Sequence, residues 1–246
     1  MKLTQDVYLV GGGDYGFNLT DKLDCHTYVV DAGSELVLID TGFTGWERIL
    51  EVMREDGLDP ARVSHIFVTH YHADHAGGCA QMRRATGARL LTSVEAAPTI
   101  RAADDDQNGL KWAQAFGFYP ADFVWEPCEV DEEFVDGQRY RIGEVELEMI
   151  STPGHCHGHY VIRLFGRDRS YLFASDLVFW GGAIILQNVK DSSLQEYAAS
   201  MNKVAALEFD ALLPGHHVIS LRNGHRHVDV AANDFNRIGL PRDLLR

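Results

Sequence analysis

The stretch "VTHYHADHAGG", Val68 to Gly78, places four side chains able to bind a metal within six residues: His70, His72, Asp74 and His75. Imidazoles and a carboxylate packed this densely are not there for stability. Alternate residues of an extended segment point the same way, so His70, His72 and Asp74 converge on one site. His75 reaches it from the start of the helix that follows. Structural zinc sites are usually rich in Cys and closed at four ligands. This set has no Cys, which favours an open, catalytic site, and two neighbouring metals account for the pattern better than one.

Two metals need more ligands, and the chain offers them at the ends of apolar runs. "STPGHCHGH" puts His155 behind the strand-like "VELEMI", "LFASDL" puts Asp176 behind another run, and "LLPGHH" puts His216 behind a third. Asp176 has two oxygens to share and suits a bridge. Two divalent metals lower the pKa of a shared water toward neutrality and polarise a substrate carbonyl. They also stabilise the tetrahedral oxyanion. Asp74 then orients the hydroxide and carries a proton to the leaving group. Cys156 lies beside His155, but its only base partners are ligands already in use, so it is not read as a nucleophile.

The elements around these residues read as alternating strands and helices. "TYVVDAG" and "LVLIDTG" form a strand, a turn and a strand. Residues 46–56 carry apolar side chains at 46, 49, 50 and 53, which is helical spacing, with Gly57 as a stop. "HIFVTH" is a strand that delivers His70, "AGGCAQMRRAT" a helix, and "ARLLTS" the next strand. Residues 95–127 change character and read as a helical, aromatic-rich insertion. The second half has a hairpin in "RYRIGEVELEMIST", strands in "HYVIRLFG" and "RSYLFASD", a helix in "SLQEYAASMNKVAAL" and a last short strand in "ALLPGHH". This order predicts an α/β fold of two similar halves facing each other, within a single domain over 1–246.

Composition narrows the partners. The chain has 246 residues, 36 acidic against 22 Lys and Arg, and a net charge of −14. Such a surface repels nucleic acid and anionic membranes, so neither is expected as a partner; a small-molecule substrate is. The four cysteines, Cys25, Cys79, Cys128 and Cys156, form no C-x-x-C pair, which suits reduced thiols in a cytoplasm. The first ten residues have no signal-peptide pattern, and no run approaches the roughly 18 apolar residues of a membrane span. A homodimer through the aromatic insertion is left open.

The series T-H-x-H-x-D-H-x-G-G, T-P-G-H, S-D-L and P-G-H resembles that of the metallo-β-lactamase-fold hydrolase superfamily, from "LVLIDTG" to "LLPGHH". The resemblance implies a four-layer αββα sandwich with the site at one edge. It implies one metal on His70, His72 and His155, a second on Asp74, His75 and His216, and Asp176 with a hydroxide bridging both. It also implies that Asp40, in "IDTG", and His159 support the ligands from behind. Zinc is the default metal, while His and carboxylate ligands suit Fe, Mn or Co as well.

Departures within the family point to a branch. True β-lactamases often place Cys or Ser where Asp176 stands, so the chain resembles the glyoxalase II and lactonase branches instead. Thirty residues follow His216, where glyoxalase II enzymes carry a helical domain for glutathione. Acyl-homoserine lactonases usually have Tyr where Phe179 stands. Phe116, Phe118, Tyr119 and Trp125 of the insertion, with Phe179 and Trp180, are expected to line an apolar acyl or aromatic pocket. The reading is a dinuclear metal-dependent hydrolase of an ester-like bond, lactone or thioester. The alternative is a mononuclear iron persulfide dioxygenase-like enzyme using His70, His155 and Asp176; that branch's "GRTDFQ" is replaced here by "LVFWGGAIILQN". His157 and His217 either support ligands or line the pocket. His225 and His227 are expected in a solvated polar loop, and His26 and His65 in structural roles.

Overall fold

The computed structural model describes residues 1–187 and 189–244. The chain forms two compact units, residues 1–134 and 135–246.

The first unit is built on a six-stranded sheet. Its strands are β1 (Val7–Gly11), β2 (Thr27–Asp31), β3 (Leu36–Ile39), β4 (Val63–Val68), β5 (Arg89–Ser93) and β6 (Glu132–Phe134), adjacent in that order. The first three pair antiparallel, and β3 to β6 run parallel. Parallel strands are usually covered on both faces and therefore read as continuous apolar runs. "LVLI" in β3 is buried at every position. Because β3 and β4 run the same way, Asp40 and His70 leave the sheet at one edge. Helix α1 (Trp46–Glu55) buries Ile49, Leu50, Val52 and Met53, the face its spacing predicts, and ends two residues before Gly57.

The helix expected over 76–86 is α3 (Cys79–Thr86), and a separate short helix, α2 (Ala73–Ala76), precedes it. The junction lies hard against the loop after β3: a Cβ on Gly78 would sit 2.6 Å from the Thr41 carbonyl oxygen. Only glycine permits that approach. The insertion contributes α4 (Ala97–Ala102) and α5 (Leu110–Ala115), and is otherwise turn and coil.

The second unit holds a five-stranded sheet of β7 (Arg139–Ile142), β8 (Val145–Ser151), β9 (Tyr160–Phe165), β10 (Ser170–Ser175) and β11 (Ala211–Pro214), in the order β11-β10-β9-β8-β7. Strands β7 to β10 are antiparallel neighbours, and β10 pairs parallel with β11. It follows that β8, β10 and β11 all point one way, so the residues after them emerge at one edge. Helices α6 (Leu194–Ala205) and α7 (His225–Asn236) supply the other half of this core. Leu172, Val161, Tyr197, Met201, Val204 and Val228 share one buried cluster.

Helix α7 corrects the expectation of a solvated polar loop at His225 and His227. "HRHVDVAANDFN" places Val228, Ala231, Ala232 and Phe235 on one helical face, and the first three are buried. That period wins over the polar look of the residues between. His227 itself is 3% exposed. Its Nδ1 accepts the Gly181 N–H at 2.9 Å. Burial, with the nearby Arg226 charge, lowers its pKa.

Among the described residues no helix is long and apolar enough to cross a membrane. Leu172 is fully buried. Leu172→Ala should therefore lower unfolding stability by about 2–5 kcal/mol, measured by urea denaturation. A loss below about 1 kcal/mol would mean that β10 does not anchor this core.

Candidate metal centre

In the first unit the histidine loop follows β4 directly. His70 and His75 are fully buried, His72 is half-buried, and the Asp74 side chain is 15% exposed. The His70 ring centroid lies 4.7 Å from that of His72 and 4.2 Å from that of His75. His75 Nε2 is 3.6 Å from Asp74 Oδ2. Three imidazoles and a carboxylate are thus gathered within one turn of chain.

The carboxylate of Asp40 orders this cluster from behind. It is 2% exposed and accepts the Thr69 N–H at 2.8 Å and the Thr69 hydroxyl at 2.9 Å. It also pairs with His75 Nδ1 at 2.8 Å. An ionised carboxylate only accepts, so His75 carries its proton on Nδ1 and presents a lone pair on Nε2. The same logic passes through Thr69. Its hydroxyl proton goes to Asp40, so its oxygen accepts from His70 Nδ1 at 3.2 Å. His70 therefore also offers Nε2. One carboxylate sets the tautomer of two imidazoles, the arrangement that metal-binding histidines use.

Cys25 completes the wall behind the loop. The ligand atoms of Cys25, Asp40 and His75, all buried, lie within 4.8 Å of one another. Burial pushes the Cys25 thiol up to about 12, against an opposing pull from His75. It stays a neutral thiol. The insertion reaches the same loop twice: Tyr119 donates its hydroxyl to Asp74 Oδ1 at 2.9 Å, and Trp125 donates its indole N–H to the Ala76 carbonyl at 3.1 Å.

In the second unit His155, Asp176 and His216 are 1%, 3% and 9% exposed. His155 Nε2 lies 3.5 Å from Asp176 Oδ2, and His216 Nε2 lies 3.7 Å from Asp176 Oδ1. Each carboxylate oxygen faces a different imidazole, as a shared ligand would require. The backbone of Asp176 is held by two side chains. Its N–H donates to His159 Nε2 at 3.2 Å, and its carbonyl accepts the Tyr197 hydroxyl at 2.7 Å. His159 Nδ1 is 2.9 Å from the Thr152 hydroxyl. Gly154 lets the His155 turn pack on α6: a Cβ there would lie 2.4 Å from Tyr197 Cα, and its φ of 134° suits glycine.

The remaining predicted residues are dispersed. His157 is exposed. His217 is half-buried, and burial with the neighbouring His216 lowers its pKa. Phe179 is fully buried, its ring 6.3 Å from His216 and 6.4 Å from His217. Trp180 is 39% exposed, lies 4.4 Å from the His227 ring, and has the Arg226 guanidinium over its face at 5.0 Å. Trp125 lies in the core at 3% exposed, while Phe116 and Phe118 are 67% and 59% exposed and gather around Trp112. Sequence reading missed Tyr197, Thr69 and Thr152. A Tyr on the buried face of an amphipathic helix carries no signal of the hydrogen bond it makes.

The donor set fits divalent metal ions. It consists of imidazoles and carboxylates, no Cys belongs to it, and the histidines behind Asp40 present Nε2 rather than N–H.

Comparison with known proteins agrees with this chemistry. The family model described as the metallo-β-lactamase superfamily matches residues 20–216. An atrochrysone carboxyl ACP thioesterase of Aspergillus fumigatus is 26% identical over 193 residues, covering 78% of this chain and 50% of that protein. A hydroxyacylglutathione hydrolase of Rhodospirillum rubrum is 25% identical over 197 residues, covering 78% of this chain and 64% of its own. The chain spans about half the length of the first curated relatives it matches. Among solved structures, a metallo-β-lactamase from Cronobacter sakazakii superposes with a TM-score of 0.74 at 21% identity, over 97% of this chain and 96% of that one. The two-sheet α/β architecture is the metallo-β-lactamase fold.

Two measurements test this geometry. Asp40→Asn should weaken metal binding by about 10- to 100-fold in chelator competition, because it replaces one of the two accepting oxygens facing Thr69 and His75 with an N–H donor; unchanged affinity would remove Asp40 from this role. Burial first of all raises the pKa of Cys25, Cys79 and Cys128. Their folded pKa values lie above the ordinary thiol value of about 8.5, so stability should fall as pH climbs past it. At pH 8 these thiols should resist a disulfide reagent until the chain is unfolded, and rapid labelling of the native protein would contradict their burial.

Proposed function

Since the chain belongs to the metallo-β-lactamase superfamily, we propose that it is a dinuclear metal-dependent hydrolase of an ester-like bond, with a thioester as the preferred class. In this reading His70, His72 and His155 hold one ion, Asp74, His75 and His216 hold the other, and Asp176 bridges the two. Zinc is the proposed metal, because imidazole and carboxylate ligands in an open site suit it.

One observation carries the reading. The Asp40 carboxylate lies 2.8 Å from His75 Nδ1 and accepts the hydroxyl of Thr69, itself 3.2 Å from His70 Nδ1, an arrangement that suits both imidazoles to offer Nε2 to a metal, with Asp74 beside that of His75. The division of Asp176 between His155 and His216 supports it from the second unit. The metals, once bound, supply a water of lowered pKa and an electrophile for the scissile carbonyl. Asp74 would take up the proton released on attack and pass it to the leaving group. A thiolate leaving group needs little help from that proton, because a thiol has a pKa of about 8.5. The names of the relatives weigh the same way, one being a thioesterase and another a hydroxyacylglutathione hydrolase. The mononuclear iron alternative would leave His72, Asp74, His75 and His216 outside the metal site, although the His75 imidazole is held by Asp40 at 2.8 Å.

The test is proton release at neutral pH on thioesters, lactones and aryl esters, with and without a chelator. Turnover on thioesters that the chelator abolishes and added zinc restores is expected. Turnover that survives complete metal removal would overturn the proposal. His72→Ala and Asp74→Ala should each reduce kcat by at least about 100-fold while the far-ultraviolet circular dichroism is retained.

A further inference from the structure

The insertion does more at the histidine loop than wall off a space. Tyr119 lies 45 residues along the chain from Asp74, yet its hydroxyl donates to Asp74 Oδ1 at 2.9 Å. Its ring is stacked on Phe43, with centroids 4.9 Å apart and planes at 26°. Phe43 is 2% exposed and packs in turn on Phe123 at 4.2 Å. The Phe43 N–H donates to Asp24 Oδ1 at 2.7 Å. The phenol is therefore held by a ring whose own backbone is tied down.

The two oxygens of Asp74 consequently have different surroundings. Oδ1 receives the phenol, whereas Oδ2 lies 3.6 Å from His75 Nε2. A carboxylate with no such partner can rotate and offer either oxygen, or both. A hydrogen bond from a fixed donor stops that rotation and lowers the freedom lost when an ion binds. We propose that Tyr119 is a positioning residue: it holds Asp74 so that Oδ2 alone is presented to a metal beside His75. The inference rests on the dinuclear reading above. It makes residues 95–127 part of the metal centre, so that the segment governs metal occupancy as well as any substrate it meets.

The experiment uses the full chain stripped of metal, with zinc as the probe and a chromophoric chelator as competitor. Tyr119→Phe keeps the ring against Phe43 and deletes only the hydroxyl. In the parent protein two equivalents should bind. In Tyr119→Phe one dissociation constant should rise at least about 10-fold while the other holds. Trp112→Ala, an exposed change in the same insertion, should move neither. If the parent binds two ions and Tyr119→Phe binds both as tightly, the inference fails and the dinuclear reading stands. It fails equally if KM rises with both metal constants unchanged, because Tyr119 is then a substrate contact. A parent that binds a single ion overturns the dinuclear reading and this inference with it.

Discussion

The arrangement in the first unit depends on one buried carboxylate that three donors share. Asp40 takes the Thr69 amide, the Thr69 hydroxyl and the His75 imidazole. A buried charge is stable only when it is well satisfied, so these donors and Asp40 require one another. The requirement joins the end of β3, the end of β4 and the start of α2. It also settles which nitrogen of each imidazole faces outward. Without it the loop would still hold three histidines, but His70 and His75 would lose the support behind their Nδ1 atoms.

The second unit reaches a similar end by different means. There the strand directions do the gathering, since β8, β10 and β11 deliver His155, Asp176 and His216 to one edge. The central carboxylate is then fixed through its backbone rather than through its oxygens. His159 Nε2 accepts its N–H and its carbonyl accepts the Tyr197 hydroxyl, while each carboxylate oxygen faces a flanking imidazole. Residues that stand behind the ligands in this way commonly matter nearly as much to a metal site as the ligands do.

How much of this is legible in the sequence follows from the physics of each feature. Candidate metal ligands can be picked out in the sequence, because His and Asp cluster at the ends of apolar runs, and the structure buries His70, His75, His155 and Asp176 there. A strand such as "LVLI" is equally plain, being continuously apolar and buried. Helix α7 escapes notice because its start, "RNGHRH", is polar, although Val228, Ala231, Ala232 and Phe235 hold the helical period. Strand β6 has three residues and takes its conformation from pairing with β5, which no local pattern records. Tyr119 stands out in the sequence only as an aromatic of the insertion. That its hydroxyl meets Asp74 is a fact of tertiary packing and lies outside any sequence window.

Three residues of these loops share a further trait. Asp40, Ser175 and His217 have φ values of 60°, 47° and 62°, the left-handed region. For a residue with a side chain this conformation costs about 1–2 kcal/mol, and it persists only where the surroundings impose it. Ser175 and His217 are chain neighbours of the candidate ligands Asp176 and His216, and Asp40 is the carboxylate that pairs with His75. Asn18, Ala103, Asn223 and Ile238 share the conformation elsewhere, so it is not peculiar to these loops, but here it falls on or beside residues that the candidate site uses. A glycine at Asp40 would ease its turn and remove the carboxylate that Thr69 and His75 use, so a gain in backbone freedom there is a loss at the candidate site.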